Sequence, residues 1–62
     1  MKKPRAKLIG ADSNIFNLLG IANGVLRKAG QKDQMIEMTN RVWAAQSYDE
    51  ALVVIGEYVD IY

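Results

Sequence analysis

Hydrophobic residues recur at steps of three and four between residues 15 and 29. The members of this stripe are Ile15, Leu18, Leu19, Ala22, Val25, Leu26 and Ala29. Such spacing places side chains on one face of a helix. Residues 12–14 carry side-chain oxygens that can cap a helix, and Gly30 stands where a left-handed residue commonly ends one. The pattern predicts a first helix from residue 13 or 14 to residue 29.

A second helix is predicted from Lys32 or Asp33 to Ala45. Its inner stripe consists of Met35, Met38, Val42 and Ala45, widened by Ile36 and Trp43. Because small domains depend on burying aromatic rings, Trp43 and Tyr58 are both interpreted as core residues.

A third helix is predicted to begin at Ser47. The Ser47 hydroxyl can accept from the Glu50 amide while the Glu50 carboxylate reaches back to the Ser47 amide, which is a capping box. A strand is the rival interpretation for residues 52–55, but the cap and the continued period favour a helix. Its predicted inner face runs to the last residue and comprises Ala51, Leu52, Ile55, Tyr58, Val59 and Tyr62, with Val54 and Ile61 on one flank.

The segment before the first helix is predicted to be short and extended, with Leu8 and Ile9 as its anchors. A lone strand cannot satisfy its own backbone, so residues 5–9 need a partner edge, for which a second subunit is one source. We therefore expect an all-α fold, a single three-helix domain over residues 1–62 preceded by a short extended segment. Residues 1–7 are expected to be a basic, flexible arm.

The composition limits the kinds of catalytic and metal-binding site that the chain can form. The 62 residues include no Cys and no His, so disulfides and the commonest zinc ligands are absent. Asp49 and Glu50 are adjacent carboxylates, but neighbours on a helix point about 100° apart and do not converge on one substrate. We expect no enzyme activity, no catalytic or metal site, no cofactor and no small-molecule substrate. The longest apolar run, residues 51–55, is too short to span a membrane, and the start lacks the apolar region of a signal peptide, which favours the cytoplasm.

Charge is unevenly placed, although the net charge is only +1. Residues 1–10 hold four bases and no acid, whereas from Asp49 onward the chain holds four acids and no base. The arm and the predicted C-terminal helix are therefore expected to attract each other. The arm also suggests an alternative function in binding nucleic acid, with candidate phosphate contacts at Lys2, Lys3, Arg5 and Lys7.

Two glycines lie four residues apart in the first helix, and each costs up to about 1 kcal/mol relative to Ala. Close approach by a partner helix, a ligand or the N-terminal segment would explain Gly20 and Gly24, with simple tolerance as the other interpretation. Val53, Ile61 and Tyr62 are hard to bury together in so small a monomer, so some apolar surface is expected to remain for a partner or a homodimer.

Residues 7–20 read KLIGADSNIFNLLG, and residues 47–49 and 57–60 read SYD and EYVD. These motifs resemble a family of short proteins from phage and conjugative-element genomes, with a pattern Lys-Leu-x-Gly-x-Asp-Gly-Asn-x-Phe, an apolar pair and Gly. Ser13 stands where the pattern has Gly, which implies that this position needs no positive φ here. The resemblance implies a mobile genetic element as the setting and supplies no activity.

The block from Gly10 to Phe16 is the first place to look for function, because it leads into a helix N-terminus with free N–H groups. The favoured interpretation is structural: Asp12 or Ser13 caps the helix, Asn14 fixes the turn and Phe16 staples the arm to the core. We predict a non-catalytic accessory protein of a mobile element that binds a protein partner or its own copy through helical faces. The candidate contacts are Phe16, Gly20, Gly24, Trp43 and Tyr62.

Overall fold

The computed structural model describes residues 3–62, and three helices form most of it. Helix α1 spans Ile15–Lys28, α2 spans Lys32–Ala44 and α3 spans Tyr48–Tyr58. Two short strands flank them, β1 at Arg5–Ala6 and β2 at Asp60–Ile61. The predicted three-helix domain with a short extended N-terminal segment is confirmed.

The core lies between the three helices and the paired strands. Four large side chains are fully buried, namely Leu26, Met38, Ile55 and Val59. Tyr58 is buried as predicted, and across residues 3–62 every buried residue is hydrophobic. The buried stripes of α1 and α2 are those that the helical period indicated, so amphipathic patterning positions these helices.

The helix ends follow the predicted caps in part. Asn14, rather than Asp12 or Ser13, caps α1: its Oδ1 accepts from the Phe16 amide at 2.9 Å, and the Asp12 carboxylate holds the turn by accepting from the Asn14 amide at 3.0 Å. Gly30 follows α1 with a φ of 75°, as predicted. Within residues 3–62 no residue other than glycine has a positive φ, which agrees with the expectation for Ser13.

The predicted cap of α3 is half confirmed. The Ser47 hydroxyl accepts from the Glu50 amide at 3.1 Å. The Glu50 carboxylate accepts from the Gln46 amide at 2.9 Å instead of that of Ser47. Both bonds fix the loop that joins α2 to α3.

The prediction that the third helix runs to Tyr62 is wrong. Helix α3 ends at Tyr58, and the chain turns into β2, which pairs in parallel with β1 so that Arg5 lies opposite Asp60. The Asp60 amide donates to the Pro4 carbonyl at 2.8 Å, and the Tyr62 amide donates to that of Ala6 at 3.0 Å. The chain's own C-terminal segment therefore supplies the edge that the N-terminal strand needs.

Part of the segment expected to be a flexible arm is thus a strand of the fold. Ala6 is fully buried, and the amides of Leu8 and Ile9 both donate to the Tyr62 carbonyl at 2.8 Å. Leu8 is buried and acts as the predicted anchor, whereas Ile9 is exposed. Pairing satisfies backbone groups that an isolated strand would leave open. Lys2 lies outside the described residues.

The helices alternate in direction, which defines two ends of the domain. We call the end that holds the start of α1, the end of α2 and the start of α3 the aromatic end, because Phe16 and Trp43 are in contact there. We call the opposite end, at residues 29–31, the turn end. Midway between the two ends, the Thr39 hydroxyl bonds to the Asn23 side chain at 3.1 Å and joins α2 to α1.

Candidate functional site

Two large aromatic side chains are exposed side by side at the aromatic end. Phe16 is 60% exposed and Trp43 is 63% exposed, and their ring centroids lie 5.3 Å apart with the planes tilted by 44°. The predictions that Trp43 is a core residue and that Phe16 staples the arm to the core are therefore wrong. Trp43 lies about 100° around α2 from the buried Val42, which carries its ring out of the core.

A groove of about 330 Å³ adjoins this pair. Its lining is Ile15, Phe16, Leu19, Val42, Trp43, Ala45, Gln46, Ser47, Tyr48 and Ala51. The Ser47 hydroxyl accepts from the Glu50 amide, and the Tyr48 hydroxyl donates to the Ser13 carbonyl. Since both hydroxyls serve the loops of the fold, the groove mainly offers apolar surface.

The aromatic pair is part of a larger surface, which we call the α1–α2 face. It comprises Phe16, Gly20 and Gly24 of α1 with Ile36 and Trp43 of α2. Ile36 is 48% exposed and lies seven residues before Trp43, on the same side of α2. The prediction that Ile36 and Trp43 widen the inner stripe of the second helix is therefore wrong.

The two glycines of the α1–α2 face are open. Among residues 3–62, a Cβ atom built at Gly20 or Gly24 would meet nothing within 4 Å, once the chain neighbours and the helix's own nearby backbone are set aside. Close approach of the described part of the N-terminal segment, from residue 3 onward, is therefore wrong as an explanation. Close approach by another chain stays a prediction.

The two ends of the domain carry opposite charge. Residues 12–19 and 43–51, which form the aromatic end, contain Asp12, Asp49 and Glu50 and no Lys or Arg. Residues 24–33 form the turn end and the adjoining parts of α1 and α2. They contain three exposed bases, Arg27, Lys28 and Lys32, and one acid, Asp33.

The predicted attraction between the basic arm and the C-terminal region is confirmed for Lys3. The Lys3 ammonium donates to the Gly56 carbonyl at 2.9 Å and lies 3.7 Å from the Asp60 carboxylate. The Arg5 guanidinium lies 4.1 Å from the centre of the Tyr62 ring, a cation–π contact. Two of the candidate phosphate contacts, Lys3 and Arg5, and one face of the candidate partner contact Tyr62 therefore make contacts within the chain. Lys3, Arg5 and Lys7 are all exposed.

A charged network joins α2 to α3 on another side of the domain. Arg41 donates to both carboxylate oxygens of Glu57, at 2.7 and 3.2 Å, and to the Tyr58 hydroxyl at 3.2 Å. The Tyr58 hydroxyl in turn donates to Glu37 at 2.8 Å. The hydrogen bonds from Arg41 lower the pKa of Glu57. No pattern in the sequence predicts this network, because contacts between helices at separations of 16 to 21 residues carry no periodic signal.

The structure gives no sign of a metal centre or a membrane span in the part of the chain that it describes. Residues 3–62 contain no cluster of three side chains suited to bind a metal ion. Over the same residues, each helix is too short or too polar to cross a bilayer.

Comparison with known protein families, curated proteins and solved structures gives no match to this chain. The resemblance carried by residues 7–20 and 47–60 therefore stays a prediction, and the candidate site rests on the chain's own geometry.

Proposed function

We propose that this protein is a non-catalytic interaction protein that binds another protein through its α1–α2 face. The observation that carries the proposal is the pair Phe16 and Trp43, two large rings that touch each other and are both more than half exposed. Aromatic rings dominate the energy of protein interfaces, since each can bury about 150–250 Å². Leaving two of them in water is costly unless a partner covers them.

The groove beside the pair supplies the second part of a binding surface. An apolar side chain of the partner would enter between α1 and the loop after α2, where Ile15, Leu19 and Val42 form an apolar lining. Removing apolar surface from water contributes about 25 cal/mol per Å², so one anchor side chain gives measurable affinity. The open glycines let the partner's backbone come close to α1.

Two further expectations belong to the proposal. We assign the protein to a mobile genetic element on the resemblance of residues 7–20, and to the cytoplasm on its short apolar runs. The absence of catalysis is supported by the roles of the groove hydroxyls, since Ser47 and Tyr48 hold loops in place. Binding of nucleic acid by the arm has less support, because Lys3 and Arg5 contact the chain's own C-terminal segment.

The experiment compares three immobilised forms of the protein as bait: wild type, Trp43→Ala and Val53→Ala. Val53 is the matched control, because its exposure of 64% is close to the 63% of Trp43 but it lies on α3. The pool offered to the bait combines a host extract with a differently tagged copy of the chain, and every retained protein is identified by mass spectrometry. Binding is then repeated with the purified partner.

The proposal predicts a partner that wild type and Val53→Ala retain and that Trp43→Ala loses. Retention of the same proteins by all three forms would contradict it.

A further inference from the structure

The α1–α2 face is complementary to itself in its apolar groups. Its aromatic pair lies at one end and Ile36 lies towards the other, with Gly20 between them. On α1, Gly20 is midway between Phe16 and Gly24, and on α2 the midpoint between Ile36 and Trp43 falls at residues 39–40. The contact between Phe16 and Trp43 and the bond between Asn23 and Thr39 set the register of α1 against α2, which brings these midpoints to within about one helical turn of each other. A half-turn about this centre exchanges the two ends of the face.

The charges are complementary under the same operation. A half-turn brings the exposed bases of the turn end, Arg27, Lys28 and Lys32, towards the aromatic end of the other copy, where Asp12 and Asp49 are exposed. Glu50 is left out, because it lies beside Arg41 and Ala44 on the α2–α3 side. A parallel arrangement would instead bring acids to acids and bases to bases. Opposed potentials guide association and fix orientation, whereas like charges in contact oppose it.

We propose that the protein that covers the α1–α2 face is a second copy of this chain, antiparallel to the first about a two-fold axis near Gly20. The inference rests on the proposed function, because it uses the same face. In a two-fold dimer each contact occurs twice. The Phe16–Trp43 pair of each copy therefore packs on Ile36 and Gly24 of the other.

The open glycines fit this arrangement. Gly20 lies nearest the axis, where the α1 helices of the two copies cross. Apart from its neighbours in α1 itself, nothing among residues 3–62 lies within 4 Å of the Cβ position there. Helices pack with axes about 8–10 Å apart, and the lower end of that range needs small residues at the crossing. Any larger side chain at Gly20 would meet its own symmetry mate.

The size of the face indicates a dimer of modest affinity. A 14-residue helix is about 20 Å long and two neighbouring helices are about 20 Å wide, so the face lies at the low end of interface areas. The dimer should therefore dissociate on dilution, and a concentration series will show both states.

The experiment is sedimentation equilibrium of the full chain from micromolar to millimolar concentration, with tryptophan emission recorded alongside. Wild type should pass from monomer to dimer. Because Trp43 is the only tryptophan, its emission should shift to shorter wavelength as its ring becomes covered. Trp43→Ala should weaken association roughly tenfold or more, and Val53→Ala should leave it unchanged.

A second pair of variants tests the position of the axis. Gly20→Gln places a long side chain at the crossing and should abolish association, whereas Ala44→Gln adds the same side chain on an exposed part of α2 outside the α1–α2 face. Replacing a helical glycine also favours the helix, so circular dichroism should show Gly20→Gln to be folded. Loss of the dimer then cannot be attributed to unfolding.

A charge exchange tests the orientation. Lys32→Glu should weaken the dimer, and adding Asp49→Lys should restore part of the association, since the antiparallel arrangement pairs opposite ends. In a parallel dimer the second change would restore nothing.

The inference is overturned if wild type stays monomeric throughout, if Gly20→Gln dimerises as wild type does, or if the charge exchange fails to restore association. A monomeric wild type that still binds a captured protein through Trp43 would overturn this inference and leave the proposed function standing. If Trp43→Ala changes neither self-association nor capture, both are overturned.

Discussion

The two sides of this domain treat their apolar groups in opposite ways. On the strand side, the chain covers itself: Ala6 and Val59 are fully buried, and Lys3 and Arg5 are held by contacts to the C-terminal segment. On the α1–α2 face, Phe16 and Trp43 stand in solvent, and the glycines of α1 have open space above them.

This difference separates the parts of the sequence that hold the fold from those available to a partner. The strand side closes because two chain segments meet there and satisfy each other's backbone groups. In the part of the chain that the structure describes, no third segment covers the α1–α2 face. Removing groups on the strand side should therefore cost stability, and removing groups on the α1–α2 face should cost binding.

The largest effect is expected for Ala6→Asp, which puts a carboxylate into the buried interior of the strand side. Among residues 3–62 no base is buried, so the unpaired charge should cost about 3 kcal/mol or more and leave much of the population unfolded. Lys7→Asp introduces the same side chain at the neighbouring exposed position and should unfold much less readily. Urea denaturation followed by circular dichroism measures both. If the two variants were equally stable, Ala6 could not be buried in the strand side as described.

Truncating one aromatic ring on each side sharpens the contrast. Tyr58→Ala removes a buried ring and should cost about 3 kcal/mol of unfolding free energy, whereas Trp43→Ala should cost less than about 1 kcal/mol. The same urea titration provides the comparison. If Trp43→Ala destabilises the protein as much as Tyr58→Ala, the indole supports the fold and the account of the α1–α2 face is wrong.

Substituting alanine at two different glycines should change the stability of the fold in opposite directions. Gly20→Ala adds a methyl group in open space on a helix and should stabilise the fold by up to about 1 kcal/mol. Gly30→Ala forces a side chain onto a φ of 75° and should destabilise it by about 1 kcal/mol. Thermal unfolding at a low protein concentration, at which the chain is monomeric, gives the two shifts. Destabilisation by Gly20→Ala would show that Gly20 is constrained within the monomer.

The smallest effect concerns the exposed pair Arg41 and Glu57. Arg41 lowers the pKa of Glu57 in the folded state, so the pair stabilises the fold above the unfolded-state pKa of about 4.3. That contribution disappears as the pH falls through the lowered pKa of the folded state. Wild type should therefore exceed Glu57→Gln in stability at neutral pH, and the difference should shrink in acid. A difference that does not change with pH would contradict this assignment.

The sequence predicted those features that depend on local chemistry. The helical period and capping residues located α1, α2 and the start of α3, and Gly30 was placed correctly because a left-handed end favours glycine. The end of α3 was missed because the apolar period continues through Val59 and Tyr62. The period carries no information about β1, which lies more than 50 residues away in the sequence and pairs with residues 60–61 in place of a longer helix.

The candidate site was predicted as residues but not as a surface. Phe16 and Trp43 were both named as contacts, yet their favoured interpretations were structural. Their pairing depends on how α1 and α2 pack, and an exposed aromatic residue next to a buried stripe looks the same in sequence as one at its edge. The space above Gly20 likewise appears only in three dimensions.

Acrylamide quenching of Trp43 tests most directly whether the α1–α2 face is the binding surface. The single indole reports on that face alone, in the dilute protein and in its complex with a second copy or a captured partner. The account predicts strong quenching of the dilute monomer and marked protection in the complex. Equal quenching in both states would show that the partner binds elsewhere and would contradict the account.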